Sequence, residues 1–191
     1  MLWIALNHFE KFAMKKIFIL SSCVVTIGVL FAIGCGTSRS VSKEESEPQM
    51  DGSGYLLAGL PEGALDVKAA REVVEDQEAV VIVGRIGGAV NPWVDKRAAF
   101  QIVDSSLPAC SDCKDGEACS CKTPWDYCCE TDKLPTAMAL VQFTDSNGKV
   151  IRHDARDLFD LTELQTVVVR GVAKRDDAGN LTIMADGLFV N

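Results

Sequence analysis

The chain has 191 residues, with 19 Lys or Arg and 27 Asp or Glu side chains, so its formal net charge is −8. Nucleic-acid affinity depends largely on Lys and Arg displacing counterions from phosphates, so this acidic balance argues against nonspecific nucleic-acid binding. Residues 55–191, which follow the N-terminal segments described below, are enough for one domain with a single hydrophobic core.

A basic head, an apolar run and small residues follow one another near the N-terminus. Met14-Lys15-Lys16 precedes the apolar run 17–33, and Gly34-Cys35-Gly36 follows it. This order is typical of a secretory signal. Residues 1–34 are therefore predicted to be a signal peptide, and Met14 is predicted to be its true start.

The cysteine directly after Ala32-Ile33-Gly34 makes this segment resemble a bacterial lipoprotein signal. The resemblance implies cleavage before Cys35 and attachment of a lipid to its thiol, although Ala32 stands where the family usually has leucine. An uncleaved membrane anchor is one alternative, because the apolar run is close to the shortest spanning helix, about 17 residues. Plain secretion is another. All three interpretations predict an exported protein. The lipoprotein and the uncleaved anchor would both be attached to the membrane, on its periplasmic or cell-surface side.

The next two segments differ in their apolar content. Residues 35–54 contain few apolar side chains to offset the entropy of ordering, which predicts a flexible tether. The folded domain is then 55–191, and it begins with a short helix after Asp66, whose side chain is expected to cap the first turn. The apolar side of this helix is predicted to be Ala69, Ala70, Val73 and Val74.

Five segments have the short, β-branched and apolar composition of strands. In chain order they are 79–87, 97–104, 137–144, 165–173 and 181–185. A helical segment at 154–164 separates the third from the fourth, and the turn 176–180 joins the last two into a hairpin.

This order of elements resembles the OB-fold, a small five-stranded barrel. The resemblance covers residues 79–191 and depends on element order and on the phrases VVIVGRIGG and VVVRGVAKRDDAGNLTI, whose glycines allow strands to bend. It implies an all-β fold, a small five-stranded OB-like barrel with short helices. Another small β-barrel or a sandwich is the alternative architecture.

A cysteine-rich insertion, residues 105–136, lies between the second and third predicted strands and is far longer than a hairpin needs. Its cysteines are Cys110, Cys113, Cys119, Cys121, Cys128 and Cys129. An even number of cysteines in an exported protein favours disulfides, and six thiols allow fifteen pairings. Because a bridge between Cys128 and Cys129 would strain the peptide that joins them, each is expected to pair elsewhere.

The alternative for the insertion is a thiolate site for zinc or copper. Cys110 and Cys113 have the C-x2-C spacing of zinc ligands, and Cu(I) also accepts closely spaced thiolates. The other cysteine pairs depart from that spacing, and His153 is the only histidine after the signal. Redox-active thiols are a third alternative, which the absence of a thioredoxin-like βαβ pattern disfavours.

Two aromatic residues, Trp125 and Tyr127, interrupt the polar insertion. The favoured interpretation is that they supply its small core. The alternative is a recognition surface, because aromatic rings are enriched at binding hot spots. In the OB topology Trp93, from the loop between the first two strands, would lie on the same edge. Trp93, Trp125 and Tyr127 are therefore the candidate binding rim.

Catalysis is not expected from this sequence. His153 lies among charged residues and is interpreted as solvated, and the acids of the insertion do not have EF-hand spacing. The predicted function is a non-catalytic, membrane-anchored interaction module without a cofactor, whose partner is a protein, peptide or glycan of the cell envelope. The alternative function is a metal-binding protein that holds zinc or copper in the insertion.

Overall fold

The computed structural model describes residues 50–112 and 121–191. The predicted signal peptide, the lipidation site at Cys35 and most of the tether lie outside the described residues, as do Cys113 and Cys119. In the two described ranges, no helix is both long enough and apolar enough to cross a bilayer.

Strands make up most of the described regular structure. They are β1 (Leu65–Asp66), β2 (Ala79–Ile86), β3 (Ala99–Val103), β4 (Met138–Phe143), β5 (Thr166–Arg175) and β6 (Leu181–Val190). The helices are α1 (Val67–Val73), α2 (Leu134–Ala137) and α3 (Ala155–Phe159). Buried and less buried residues alternate along β2 and β4, as expected for strands with one face in a core. All five predicted strands are present, and the last continues to Val190.

The sheet closes on itself. Its order is β2-β3-β4-β6-β5, and β5 pairs again with β2. The pairings in this ring are antiparallel except for β4 with β6, which is parallel. The structure thus confirms the predicted fold class, an all-β, five-stranded OB-like barrel with short helices. The short β1 pairs in parallel with β2 outside this ring.

Two strand glycines permit close approaches between neighbouring strands. The β5–β6 register shifts between Arg170 and Gly171, and a Cβ on Gly171 would collide with the backbone carbonyl of Met184. In β2, a Cβ on Gly84 would lie 2.9 Å from the carbonyl oxygen of Val103. A side chain at either position would therefore force these strands apart, which explains why glycine occupies both.

The folded domain begins earlier than the sequence predicted. Gly52, assigned to the tether, is buried, and a Cβ there would meet the carbonyl oxygen of Leu158. Just after it, the Tyr55 hydroxyl donates to the carbonyl of Thr144 at 2.8 Å. Residues 52–54 therefore belong to the barrel domain and not to the tether.

One hydrophobic core combines strand and helix residues. Helix α1 contributes Val67 and Ala70, and α3 contributes Leu158 and Phe159. The predicted apolar side of α1 is wrong at one position, because Val73 is 64% exposed. The helix meets the core mainly through its first turn.

The first turn of α1 is capped by Asp104, the residue that follows β3, and not by its own N-cap residue. The Asp66 side chain makes no capping hydrogen bond. Instead Asp104, only 2% exposed, accepts a hydrogen bond from the Lys68 backbone N–H at 2.7 Å. Its other oxygen accepts from the N–H and hydroxyl of Ser106 at 3.0 and 2.5 Å. Asp104 thus ties the helix, the end of β3 and the start of the insertion together.

Replacing Asp104 with asparagine is expected to lower the free energy of unfolding at pH 7 by about 1–3 kcal/mol, the cost of weakening a buried, charge-assisted cap. Burial raises the pKa of Asp104, but hydrogen bonds from Ser106 and Lys68 outweigh this effect and hold the pKa below its usual value. Its stabilisation is therefore complete above the unfolded-state pKa, about 3.9, and is lost as the pH falls through the folded-state pKa.

Urea unfolding at pH 7 and at decreasing acidic pH measures this effect. The difference in free energy of unfolding between wild type and Asp104→Asn should become smaller as the pH falls below about 4. Asp177→Asn, in an exposed turn, is the matched control and should change stability by less than about 0.5 kcal/mol. A difference in free energy of unfolding that does not depend on pH would contradict the role of the Asp104 charge.

Candidate thiolate site

The described parts of the insertion, 105–112 and 121–136, pack against the outside of the barrel. Ile102 points into the barrel core, whereas the next residue, Val103, belongs to a second apolar cluster. The members of this second cluster are Val103, Leu107, Ala109, Tyr127, Leu134 and Ala137. The described parts of the insertion therefore share a small core on the outer side of β3, which holds them in place.

Tyr127 is the largest side chain of this second core. It is fully buried and has a left-handed backbone conformation, with φ of 55°. Its ring lies over Gly87, where a Cβ would be 2.9 Å from Cε2 of Tyr127 and 2.6 Å from the carbonyl oxygen of Trp125. That same carbonyl accepts a hydrogen bond from the Gly88 N–H at 2.8 Å. Glycine at position 87 therefore lets the insertion contact the end of β2 directly.

An ion pair forms a second link between barrel and insertion. Nη1 of Arg85, on β2, lies 2.5 Å from Oδ2 of Asp112. The same carboxylate oxygen accepts a hydrogen bond from the Ala109 N–H at 3.0 Å. The Arg85 guanidinium holds the pKa of Asp112 below its usual value, mainly through their hydrogen bond. This pair fixes the short turn that begins at Cys110.

The predicted aromatic rim is not formed as a surface. Trp93 is 5% exposed, packs against Phe100 with ring centroids 5.7 Å apart, and donates from Nε1 to Glu163 at 2.7 Å. Tyr127 is buried as well, as the favoured core interpretation predicted. Only Trp125 keeps part of its surface exposed, and its Nε1 donates to the carbonyl of Val90 at 3.1 Å. Two of the three candidate rim residues are thus core residues, because each ring finds a close apolar partner.

Four cysteine sulfur atoms converge beside the second core. Sγ of Cys128 lies 3.1 Å from Sγ of Cys121, 3.3 Å from that of Cys110 and 3.9 Å from that of Cys129. The sulfurs of Cys110, Cys128 and Cys129 all lie within 4.8 Å of one another. A disulfide bond measures about 2.05 Å, so no two of these four described cysteines are bonded to each other. The predicted pairings that involve Cys113 and Cys119 lie outside the described residues.

The sulfurs around Cys128 lie as close together as the ligands of a metal-thiolate centre or closer, so a zinc ion would require two of the separations to widen by about 0.5–0.7 Å. Zinc–sulfur bonds of about 2.3 Å in a tetrahedron place neighbouring sulfurs about 3.8 Å apart. The three separations around Cys128 extend from below this value to just above it. In the described part of the chain, the cluster of potential metal ligands consists of cysteines only. His153 lines a different surface cleft, with Lys96 and Arg152.

The thiols influence one another's ionisation. Burial raises the pKa of Cys110, but hydrogen bonds from the Cys128 thiol and the Cys129 N–H outweigh this effect and lower the pKa below its usual value. The thiols of Cys121 and Cys110 raise the pKa of Cys128 far above its usual range. Closely spaced thiols cannot all ionise at neutral pH, because each thiolate repels the next. A bound cation would remove that repulsion.

Asp126 holds two of these cysteines in place, a role that the sequence analysis did not predict, since it compared the acids of the insertion only with EF-hand spacing. Oδ1 of Asp126 accepts a hydrogen bond from the Cys128 N–H at 2.9 Å and lies 3.7 Å from Sγ of Cys110. Oδ2 accepts from the Thr123 hydroxyl at 2.7 Å. A Thr and an Asp three residues apart, flanking Pro124, is the sequence signal of such a closed turn.

Neither a scan against family models nor a search of the curated proteins finds a match for this chain. The chemistry of the site must therefore be argued from its own atoms. Thiolates are soft ligands that bind zinc and Cu(I) and have little affinity for hard cations such as Mg²⁺ or Ca²⁺. The arrangement is suited to binding a thiophilic metal ion.

Proposed function

We propose that this protein is an exported, membrane-anchored metal-binding protein that holds one zinc or copper ion in its cysteine-rich insertion. The observation that carries the proposal is the convergence of cysteine sulfurs around Cys128. The sulfurs of Cys121, Cys110 and Cys129 lie 3.1–3.9 Å from Sγ of Cys128, and those of Cys110, Cys128 and Cys129 all lie within 4.8 Å of one another. Zinc is the first candidate, because it takes four thiolates in a tetrahedron; Cu(I) is the second, because it also binds soft sulfur ligands.

The surroundings of the sulfurs support this proposal. Cys110 starts a turn fixed by the Arg85–Asp112 ion pair, and the Cys128 backbone is fixed by Asp126. Metal sites commonly depend on such outer hydrogen bonds to orient their ligands. The barrel residue Arg85 thus orients the first turn, and Asp126 of the insertion orients the second.

The interaction-module hypothesis has less support. OB barrels commonly bind ligands on one face and at the adjacent loops. Here the second core of the insertion covers the outer side of β3 at Val103, and Trp93 and Tyr127 are buried. The disulfide hypothesis remains a prediction, and the thiol count described below tests it directly.

The export and anchoring of the protein are proposed on the N-terminal sequence alone. Its basic head, apolar run and Cys35 support a lipoprotein signal. In a bacterial host, wild-type protein should then be recovered with membranes and carry a lipid at the N-terminus by mass spectrometry. Cys35→Ala should lose the lipid. An unlipidated wild-type protein in the cytosol with its leader attached would contradict this part of the proposal.

Elemental analysis combined with a thiol count tests the metal site. We expect full-length protein, purified with its membrane anchor in detergent, to contain close to one equivalent of zinc or copper. At least four thiols should be titratable after denaturation with a chelator and without reductant. A protein with no metal and no free thiols until reductant is added would instead support the disulfide-braced insertion.

A further inference from the structure

We infer that the four-cysteine site is redox-gated, and that oxidation joins Cys121 to Cys128 and expels the metal. This inference rests on the proposed metal-binding function and adds a regulatory reaction to the same site. The oxidant it requires is a small-molecule disulfide, the class of thiol oxidant that exchanges directly with thiolates.

The distances select Cys128 as the centre of the reaction. Its Sγ lies within 3.9 Å of each of the other three sulfurs, and the nearest of them belongs to Cys121, at 3.1 Å. A disulfide needs a separation of about 2.05 Å, so these two sulfurs have to approach each other by only about 1 Å. We expect side-chain rotation to supply this movement. The hydrogen bond from the Cys128 N–H to Asp126 holds the backbone in place meanwhile.

Accessibility selects the same pair. Cys110 is 5% exposed, so an external disulfide cannot reach its sulfur in line. Cys128 is exposed and Cys121 is half-buried. Cys129 is exposed but adjacent to Cys128, and a bridge between them would strain the intervening peptide. Of the four described cysteines, Cys128 and Cys121 are thus the two that are close, reachable and free of that strain.

The reaction balances without a further reagent. Cys128 would be a thiolate when it ligates the metal, although its neighbours raise the pKa of the free thiol. This thiolate attacks the small disulfide RSSR, a new S–S bond forms, and one thiolate RS⁻ leaves. The Cys121 thiolate then attacks Sγ of Cys128 in this mixed disulfide and displaces the second RS⁻. Two protein thiolates together lose two electrons, and the small disulfide gains them.

Loss of these two thiolates removes half of the metal ligands. Cys110 and Cys129 remain, and two thiolates leave the coordination of zinc, which requires four ligands, incomplete. The ion then departs to water or to an acceptor with higher affinity. Reduction of the bridge restores four thiolates and with them the site, so the gate is reversible.

Zinc release on treatment with oxidised glutathione tests the inference. Full-length protein is loaded with zinc under reductant, the reductant is removed, and a chromogenic chelator reports free zinc. We expect about one equivalent to be released together with a Cys121–Cys128 bridge, identified by peptide mass mapping, and to be bound again after reduction. The double variant Cys113→Ser/Cys119→Ser is the matched control and should bind and release zinc like wild type.

The outcomes separate this inference from the proposed function. If zinc and copper do not bind to the reduced protein, both the proposed function and its gating are wrong. If zinc binds but stays bound during oxidation, or if the bridge maps to a different pair, the gating is wrong and the metal site stands. Loss of zinc release in the Cys113→Ser/Cys119→Ser variant would likewise overturn the assignment to Cys121 and Cys128.

Discussion

Replacement of Cys128 with serine is expected to lower the affinity for zinc at least about 100-fold. Substitution of residues that only orient metal ligands already lowers metal affinity by about 10–100-fold. Cys128→Ser is expected to lower the affinity further, because Sγ of Cys128 lies 3.1–3.9 Å from the other three sulfurs and would itself ligate the ion. Competition with a chelator of known affinity, under reductant, measures the change.

A matched control uses the other cysteines of the insertion. Cys113→Ser/Cys119→Ser leaves the four described thiols intact and should keep zinc affinity within about tenfold of wild type. Circular dichroism should show the same barrel in all of these proteins, because the strands do not depend on the thiols. Zinc binding that survives Cys128→Ser but is lost in the double variant would place the metal elsewhere in the insertion.

Replacement of Tyr127 with alanine is expected to lower the free energy of unfolding by about 3–5 kcal/mol, the range for deleting a large buried aromatic side chain. The ring is fully buried between the insertion and Gly87, so its removal leaves a cavity in the second core. Denaturant unfolding measures the loss. Because Cys128 is the next residue, the same variant should also weaken zinc binding.

Phenylalanine at position 127 is the control for this variant. The Tyr127 hydroxyl is buried and has no hydrogen-bond partner within the described part of the chain. Tyr127→Phe keeps the ring and removes an unsatisfied polar group, so it should be neutral or stabilising by up to about 1 kcal/mol. A loss as large as that of Tyr127→Ala would show that the hydroxyl has a partner and that the ring alone does not hold the insertion.

The strands were predictable because their signal is local. Burial alternates with a period of two residues along β4, and β2 contains the β-branched run 80–83, whose side chains favour the extended conformation. The order of strands around the barrel, including the parallel pairing of β4 with β6, was not predicted, because it depends on contacts between distant segments. The end of β6 was missed, since Asp186 and Gly187 weaken the strand pattern although both lie in the β6 strand.

The site was predictable only in part. The cysteines and their two main alternatives were visible in the sequence, but their partners were not. Spacing alone matched Cys110 and Cys113 to zinc ligands, and Cys113 lies outside the described residues. The spacing gave no indication that Cys110 meets Cys128, 18 residues away. Trp93 could not be placed either, because its burial depends on Phe100 and on the Glu163 carboxylate that accepts its N–H.

The sequence by itself determined the strands, the acidic charge, the insertion and its cysteine content, because each follows from residue type and short-range spacing. Only the tertiary structure decided which thiols meet, that Asp104 caps α1, and that Trp93 is a core residue. These features depend on contacts between segments far apart in the chain. Such contacts form when the barrel closes and the second core packs on its outer side, and local pattern carries no information about them.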